Sequence, residues 1–560
     1  MGGGQGRWAQ VWLPWMGVSI GVLLIAGPFA ATAIRSMLVW TGDSPNLSFG
    51  NFINLFTDSR FGAAAANTLI SGVFTTLFSL LIGFTLAFLV ARTDMPGRGW
   101  LETANLVPFF LSPYVGALSW IYLLAPHGGL LTGAAHAWFG MPPDFVNIYS
   151  VPGVIFVLTL FYTPYVYLFV LSPLRGMDAS LEDAARVHGA TFLYTMRHIT
   201  LPLVLPALLS AALIVFVTSA GLFDVPLALG APRGIRFMPT EIFAMVQYPS
   251  DLGKAAAFGI VVLTVTILLT LWQRHFLANR KFETITGKGY RPRVIRLRGW
   301  GRVCALVLEA IYVGGGVVLP LFALLMVAFS KLWTGRIPWT TATTVNFEYV
   351  LLKYDLTRQA IGNSLILAIC GATLGVILAI LQAYYLTRGN PRHRALVDTL
   401  LSLPLGIPGI ILGLGFLILA LRTPLYSTLT IILIAYIARF FPFATRNITA
   451  MFMAINPELE QSARTSGATW FQTMRHIVLP LAKPSLIAAW LMLFVIFIRE
   501  LGATILLYAQ GTETISVAMV VLSERSSGYV AALAVVQLIL LLLAFLLFRL
   551  NRGSISQGSA

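Results

Sequence analysis

Uncharged apolar runs long enough to cross a bilayer recur along this chain, and they limit its fold more than any other feature. Leu203 to Leu222 and Val530 to Phe548 contain no Asp, Glu, Lys or Arg, and each matches the roughly 20 residues a helix needs to span the hydrocarbon core. Within that core the backbone must satisfy its own hydrogen bonds, which leaves helices and closed barrels as spanning structures. Barrel strands alternate apolar and polar residues over about ten positions, whereas these runs are apolar throughout. The chain therefore reads as an all-α integral membrane protein, with 58% hydrophobic and 10% charged residues among its 560. Twelve spans can be drawn, among them 12–34, 103–125, 303–329 and 397–421.

The first apolar stretch ends in Ala31-Thr32-Ala33, which imitates a signal-peptidase site. Its run is longer than the h-region of a cleaved signal, so it is kept as an anchor. A net charge of +16 raises the question of nucleic acid. With the N-terminus inside, the inner segments hold 24 Lys/Arg and 9 Asp/Glu, the outer ones 11 and 10, and the spans 2 and 2. This positive-inside pattern predicts both termini in the cytoplasm. The basic residues are distributed over many short loops, so the partner they imply is the lipid bilayer and not nucleic acid. Cys304 and Cys370 are too few and too poorly placed for a metal site or a disulfide framework.

The chain contains an internal repeat. Glu182 to Pro206 returns as Glu460 to Pro484, with 15 of 25 positions identical at a shift of 278. Upstream, Asn67 to Arg92 echoes Asn363 to Arg388, and Pro108 echoes Pro404, at a shift of 296. An insertion in the first half, around Ala125 to Ser150, accounts for the difference. Each copy holds six spans, an even number, so the two six-helix repeats are parallel. The halves are 1–273, with the repeated loop at 178–206, and 303–560, with the loop at 456–484. Between them lies a basic linker, 274–302, with nine Lys/Arg and one acid.

The repeated loop is the least membrane-like part of each half and the most alike between them. In the first copy Ser180 is positioned to cap a helix, with Asp183 three residues on; in the second, Asn456 caps and Pro457 takes the first helical position. Gly189 and Gly467 supply the left-handed residue that stops each helix, and Thr191 and Thr469 cap a second short helix. Leu201-Pro202 and Leu479-Pro480 are expected to turn the chain back into the membrane. Ala184, Ala185 and Ala463 suit close approach to another protein's groove, because amphipathic helices lying in the headgroups usually carry larger apolar residues.

The pattern Glu182, Ala184, Ala185, Gly189, Ile199, Leu201, Pro202 resembles the EAA loop of binding-protein-dependent ABC permeases. The second copy has Glu460, Ser462, Ala463, Gly467, Ile477, Leu479 and Pro480, with serine in place of the first alanine. This resemblance implies a type I importer permease whose EAA helices fit clefts in two copies of an ATP-binding subunit, with Glu182 and Glu460 making polar contacts there. It also implies an extracytoplasmic substrate-binding protein and a bacterial inner-membrane location. ATP and Mg would be used by the partner ATPase, with no cofactor bound by this chain, which has no GxxxxGK[ST] phosphate loop.

Fused permeases with two such loops resemble chiefly the iron(III) importers, followed by those for thiamine, aminoalkylphosphonate or polyamine. Phe223-Asp224-Val225-Pro226 and Pro239-Thr240-Glu241 carry the iron(III)-type likeness, while Glu500 has Leu222 as its first-half counterpart. Tyr162, Tyr165 and Tyr167 read as aromatic packing beside Pro164 and not as ferric ligands. A secondary transporter or channel explains the spans but not two matched loops. Among intramembrane charges, Glu309 is read as reaching the interface. Arg439 and Glu500 have matching depths and are expected to pair, with Arg499 turned toward the pathway.

Overall fold

The computed structural model describes residues 3–41, 44–142, 144–278, 294–338 and 340–557, so most of the basic linker at 274–302 lies outside the described residues. The first half supplies α1 (Gly3–Met37), α2 (Ser59–Arg92), α3 (Pro113–Leu124), α4 (Leu130–Phe139) and α5 (Val151–Gly176). It continues through α6 (Ala179–Val187), α7 (Phe192–Ala220), α8 (Met238–Val246) and α9 (Leu252–Ala278). The second half supplies α10 (Trp300–Ala328), α11 (Asp355–Arg388), α12 (Gly409–Ala420), α13 (Leu429–Ala454) and α14 (Pro457–Thr465). It ends with α15 (Trp470–Ile498), α16 (Ile515–Ser523) and α17 (Ser527–Gln557).

Among the described residues ten helices are long and apolar enough to cross a membrane, or up to twelve if two bent pairs each count as one span. Those pairs correct the straight spans drawn at 103–125 and 397–421. Arg98–Phe110 meets Pro113–Leu124 at 98°, and Pro391–Gly406 meets Gly409–Ala420 at 102°. Proline accounts for both bends, because the residue before it is driven out of the helical region. Ser112, before Pro113, has ψ 130°, and Ile407, before Pro408, has ψ 126°.

The repeat is reproduced helix by helix. α2 and α11 each contain 34 residues, α5 and α13 each 26, and α7 and α15 each 29. The insertion lies between Leu124 and Val151, where the first half adds α4.

The compact units do not follow the sequence halves 1–273 and 303–560. One unit comprises Met1–Leu55, Ile242–Leu263 and Val345–Ala560; the other comprises Phe56–Glu241 and Thr264–Thr344. Each half therefore gives its first long helix to the other half's bundle, through local packing. In the first unit Gln382 donates to the Gly17 carbonyl at 3.2 Å, and Val18, Ile25, Leu378, Leu401 and Phe441 share one core. In the second, Tyr312 of α10 donates to the Leu160 carbonyl at 3.2 Å. Glu309 does not reach an interface as expected: it is buried on this helix, 3.5 Å from the Asn105 amide.

Small residues let the helices approach closely. A Cβ on Gly83 of α2 would fall 2.7 Å from Val166 of α5, and one on Gly375 of α11 would fall 2.8 Å from Leu493 of α15.

Candidate functional site: two matched elbows

Each repeated loop forms a helix, a left-handed glycine and a second helix. α6 is capped by Asp178, whose carboxylate accepts from the Ser180 amide at 2.7 Å, and not by Ser180 as expected. The aspartate sits one residue outside the helix and so meets its free N–H groups. α14 is capped by Asn456, with Pro457 first in the helix and Glu458 and Glu460 in its first turn. Gly189 and Gly467 have φ of +79° and +88°. The amides of Ala190 and Ala468 reach back to the carbonyls of Ala185 and Ala463 at 3.0 Å, and those of Gly189 and Gly467 bond to Arg186 and Arg464. This pair of bonds satisfies the helix's last carbonyls and requires the left-handed residue. Thr191 and Thr469 then cap the next helix, and Thr469 exchanges two bonds with Gln472.

The chain does not turn at Leu201-Pro202 or Leu479-Pro480. α7 and α15 run through these positions, each with one wide turn, Met196–Thr200 and Met474–Val478, in which Leu201 and Leu479 bond five residues back. A wide turn places an extra residue ahead of a proline that can neither donate nor tolerate a close carbonyl. The reversal of direction belongs to the glycine.

The two glutamates are buried, and their carboxylates face arginines of the same chain. Glu182 pairs with Arg92, the last residue of α2, and accepts from Thr200 at 3.0 Å. Glu460 accepts from Nε of Arg388, the last residue of α11, at 2.9 Å. Arg388 also donates to the Ile455 carbonyl at 3.0 Å, and Tyr384 lies 3.5 Å from Glu460. A carboxylate this deep needs a cation, since an unpaired buried charge is costly. Sequence reading overlooked both arginines, although each closes the repeated segment that begins at Asn67 or Asn363.

The elbows expose large apolar side chains among their polar ones. Leu181, Val187, Phe192 and Leu193 are exposed on the first, Leu459 and Phe471 on the second. Ala184 is exposed, Ala185, Ala463, Ile199 and Ile477 are half-buried, and Pro202 and Pro480 are exposed. Exposed apolar patches of this kind mark interaction surfaces.

Away from the elbows, Arg439 of α13 donates to Glu500 at 2.5 Å, and Glu500 also accepts from the Ala503 amide at 2.8 Å. Gly409 makes room for this arginine, because a Cβ there would lie 2.0 Å from its guanidinium. Arg499 follows the end of α15 and is half-buried. The Tyr162 and Tyr165 rings pack 5.5 Å apart, with Phe109 against Tyr165.

Residues 79–281 and 371–556 match the family model described as binding-protein-dependent transport system inner membrane component. The chain belongs to this family. It is a multi-pass inner-membrane permease subunit of an ABC importer. The permease is 25% identical over 484 residues to a ferric transport system permease protein of Actinobacillus pleuropneumoniae, covering 85% of this chain and 68% of that one. It is 24% identical to an Fe(3+)-transport system permease protein of Haemophilus influenzae, covering 91% and 92%. A putative 2-aminoethylphosphonate transport system permease protein of Salmonella paratyphi A is 28% identical, covering 44% of this chain and 92% of that one.

Proposed function

We propose that this permease forms the membrane pathway of an iron(III) importer and is driven by two copies of an ATP-binding subunit, one on each elbow. The duplicated elbow carries this reading: two surfaces with exposed apolar side chains are built on helices whose buried glutamates are paired internally. Such a surface docks by shape and apolar contact while Arg92–Glu182 and Arg388–Glu460 hold its angle. ATP and Mg belong to the partner, and an extracytoplasmic binding protein delivers the cargo. Both termini are on the cytoplasmic side, where the excess of Lys and Arg lies. The elbows are on that same side.

Iron(III) as cargo is supported by the relatives named for ferric transport that extend over most of the chain. Because the phosphonate relative matches less than half of it, that cargo is the second reading. Uptake of radiolabelled iron(III) by cells carrying the permease with its ATPase and binding protein is the test. Uptake should disappear with Glu182→Ala; uptake of 2-aminoethylphosphonate and not of iron would reverse the assignment. Transport persisting without any ATPase would point instead to a secondary transporter or channel.

A further inference from the structure

The arginines of the elbow clamps stand at one end of α2 and α11, and toward the opposite ends the same two helices hold a second matched pair of contacts. Asn67 donates from its amide to the Arg236 carbonyl at 3.0 Å, and Thr68 accepts from the Met238 amide at 2.9 Å. In the second half Asn363 donates to the carbonyls of Gly511 and Glu513 at 3.0 and 2.9 Å, and Ser364 accepts from the Ile515 amide at 2.8 Å. Met238 and Ile515 are the first residues of α8 and α16. Their N–H groups are among those that a helix cannot satisfy itself, so a hydroxyl from another helix caps each one. Thr68 and Ser364 are both buried.

We propose that α2 and α11 are rods that carry motion from the elbows to the segments following the fifth long helix of each half, with Asn67, Thr68, Asn363 and Ser364 as the positioning residues that grip those segments. This rests on the reading that the elbows dock an ATPase. The same 24 residues separate Thr68 from Arg92 and Ser364 from Arg388, about 36 Å of helix, enough to cross a hydrocarbon core of about 30 Å. Neither rod contains proline, whereas α5, α7, α13 and α15, which pack on them, each contain at least one internal proline. Proline kinks a helix and removes a hydrogen bond. A proline-free helix packed along small residues is the stiffest link available between the two ends.

The test replaces the far grip and leaves the elbow intact. In the assembled complex, Asn363→Ala with Ser364→Ala, and separately Asn67→Ala with Thr68→Ala, should retain the ATPase and its hydrolysis while transport per ATP falls about tenfold. Thr68→Ser and Ser364→Thr should transport normally. Gln510→Cys, in a chain with Cys304→Ser and Cys370→Ser, reports the gripped segment directly. Its maleimide labelling rate should change with nucleotide, and should stop responding once Asn363 and Ser364 are alanine. Unchanged transport per ATP in the alanine variants, or labelling that still follows nucleotide, overturns the proposal. So does labelling that never responds in the parent chain. If the alanine pairs do not express, Thr68→Val keeps the side-chain shape and is read by the same transport-to-ATP ratio. Failure of the docking reading is seen separately, as absence of the ATPase from the purified wild-type complex.

Discussion

The two elbows share a backbone and differ in how their glutamates are held. Around Glu182 the site is closed: Arg92 is fully buried, Thr200 supplies the second bond, and the Arg92 Nε has no partner among the described residues. Around Glu460 it is broader and partly open, with Arg388 18% exposed and Tyr384 bonded in turn by Arg464 at 3.1 Å. Trp470 packs edge-on against Tyr384, with ring centroids 5.6 Å apart. The common element is an arginine at the end of a long helix paired with the glutamate of a short one. That pair fixes the elbow's angle, and the surroundings decide how costly its loss is.

The largest difference should come from the arginines. Breaking a fully buried pair costs about 3–5 kcal/mol, so Arg92→Ala should lower the thermal midpoint of the purified permease markedly and abolish transport. Water reaches Arg388, and its replacement by alanine should cost less in both measurements. Equal losses would mean that burial does not set the cost. Next come the glycines, at which an added Cβ meets no neighbour among the described residues, so that the left-handed backbone is what resists substitution. Gly189→Ala and Gly467→Ala should each cost about 1–2 kcal/mol and weaken ATPase binding to the same degree, with asparagine milder than alanine.

A smaller contrast separates the second partners. Thr200→Val removes a buried hydrogen bond to a charged group, about 1.5–3 kcal/mol, whereas Tyr384→Phe removes a long contact to Glu460 and a part-buried bond from Arg464, and should cost less in thermal unfolding. The smallest effect on stability is expected from Arg499→Gln. Arg499 and Glu500 stand where the first half has Gly221 and Leu222, so the halves differ here by two charges. The variant should assemble and hydrolyse ATP normally and lose transport a few-fold; unchanged transport removes Arg499 from the pathway.

Much of this was legible because local rules act locally. Asn456, Pro457, Thr191 and Thr469 announce helix starts by their own chemistry, and Gly189 and Gly467 announce the reversal between them. Ser180 misled because Asp178, two residues earlier, is equally able to cap, and helix starts shift easily by a residue or two. Leu201-Pro202 misled because a wide turn can absorb a proline without ending the helix. The positions of α1 and α10 could not be read from the repeat, since hydropathy identifies a span but not the bundle it joins. The clamps were hidden for a similar reason. Arg92 and Glu182 are 90 residues apart, and only the fold brings them together, although the arginine's recurrence at Arg388 was a visible signal.

The claim that each elbow seats one ATPase is tested most directly by counting subunits. Native mass spectrometry of the purified complex should give two ATP-binding subunits per permease chain, and one when either Gly189→Pro or Gly467→Pro closes an elbow to the left-handed backbone it needs. A wild-type complex with a single ATPase, or two ATPases retained in both proline variants, would contradict the account.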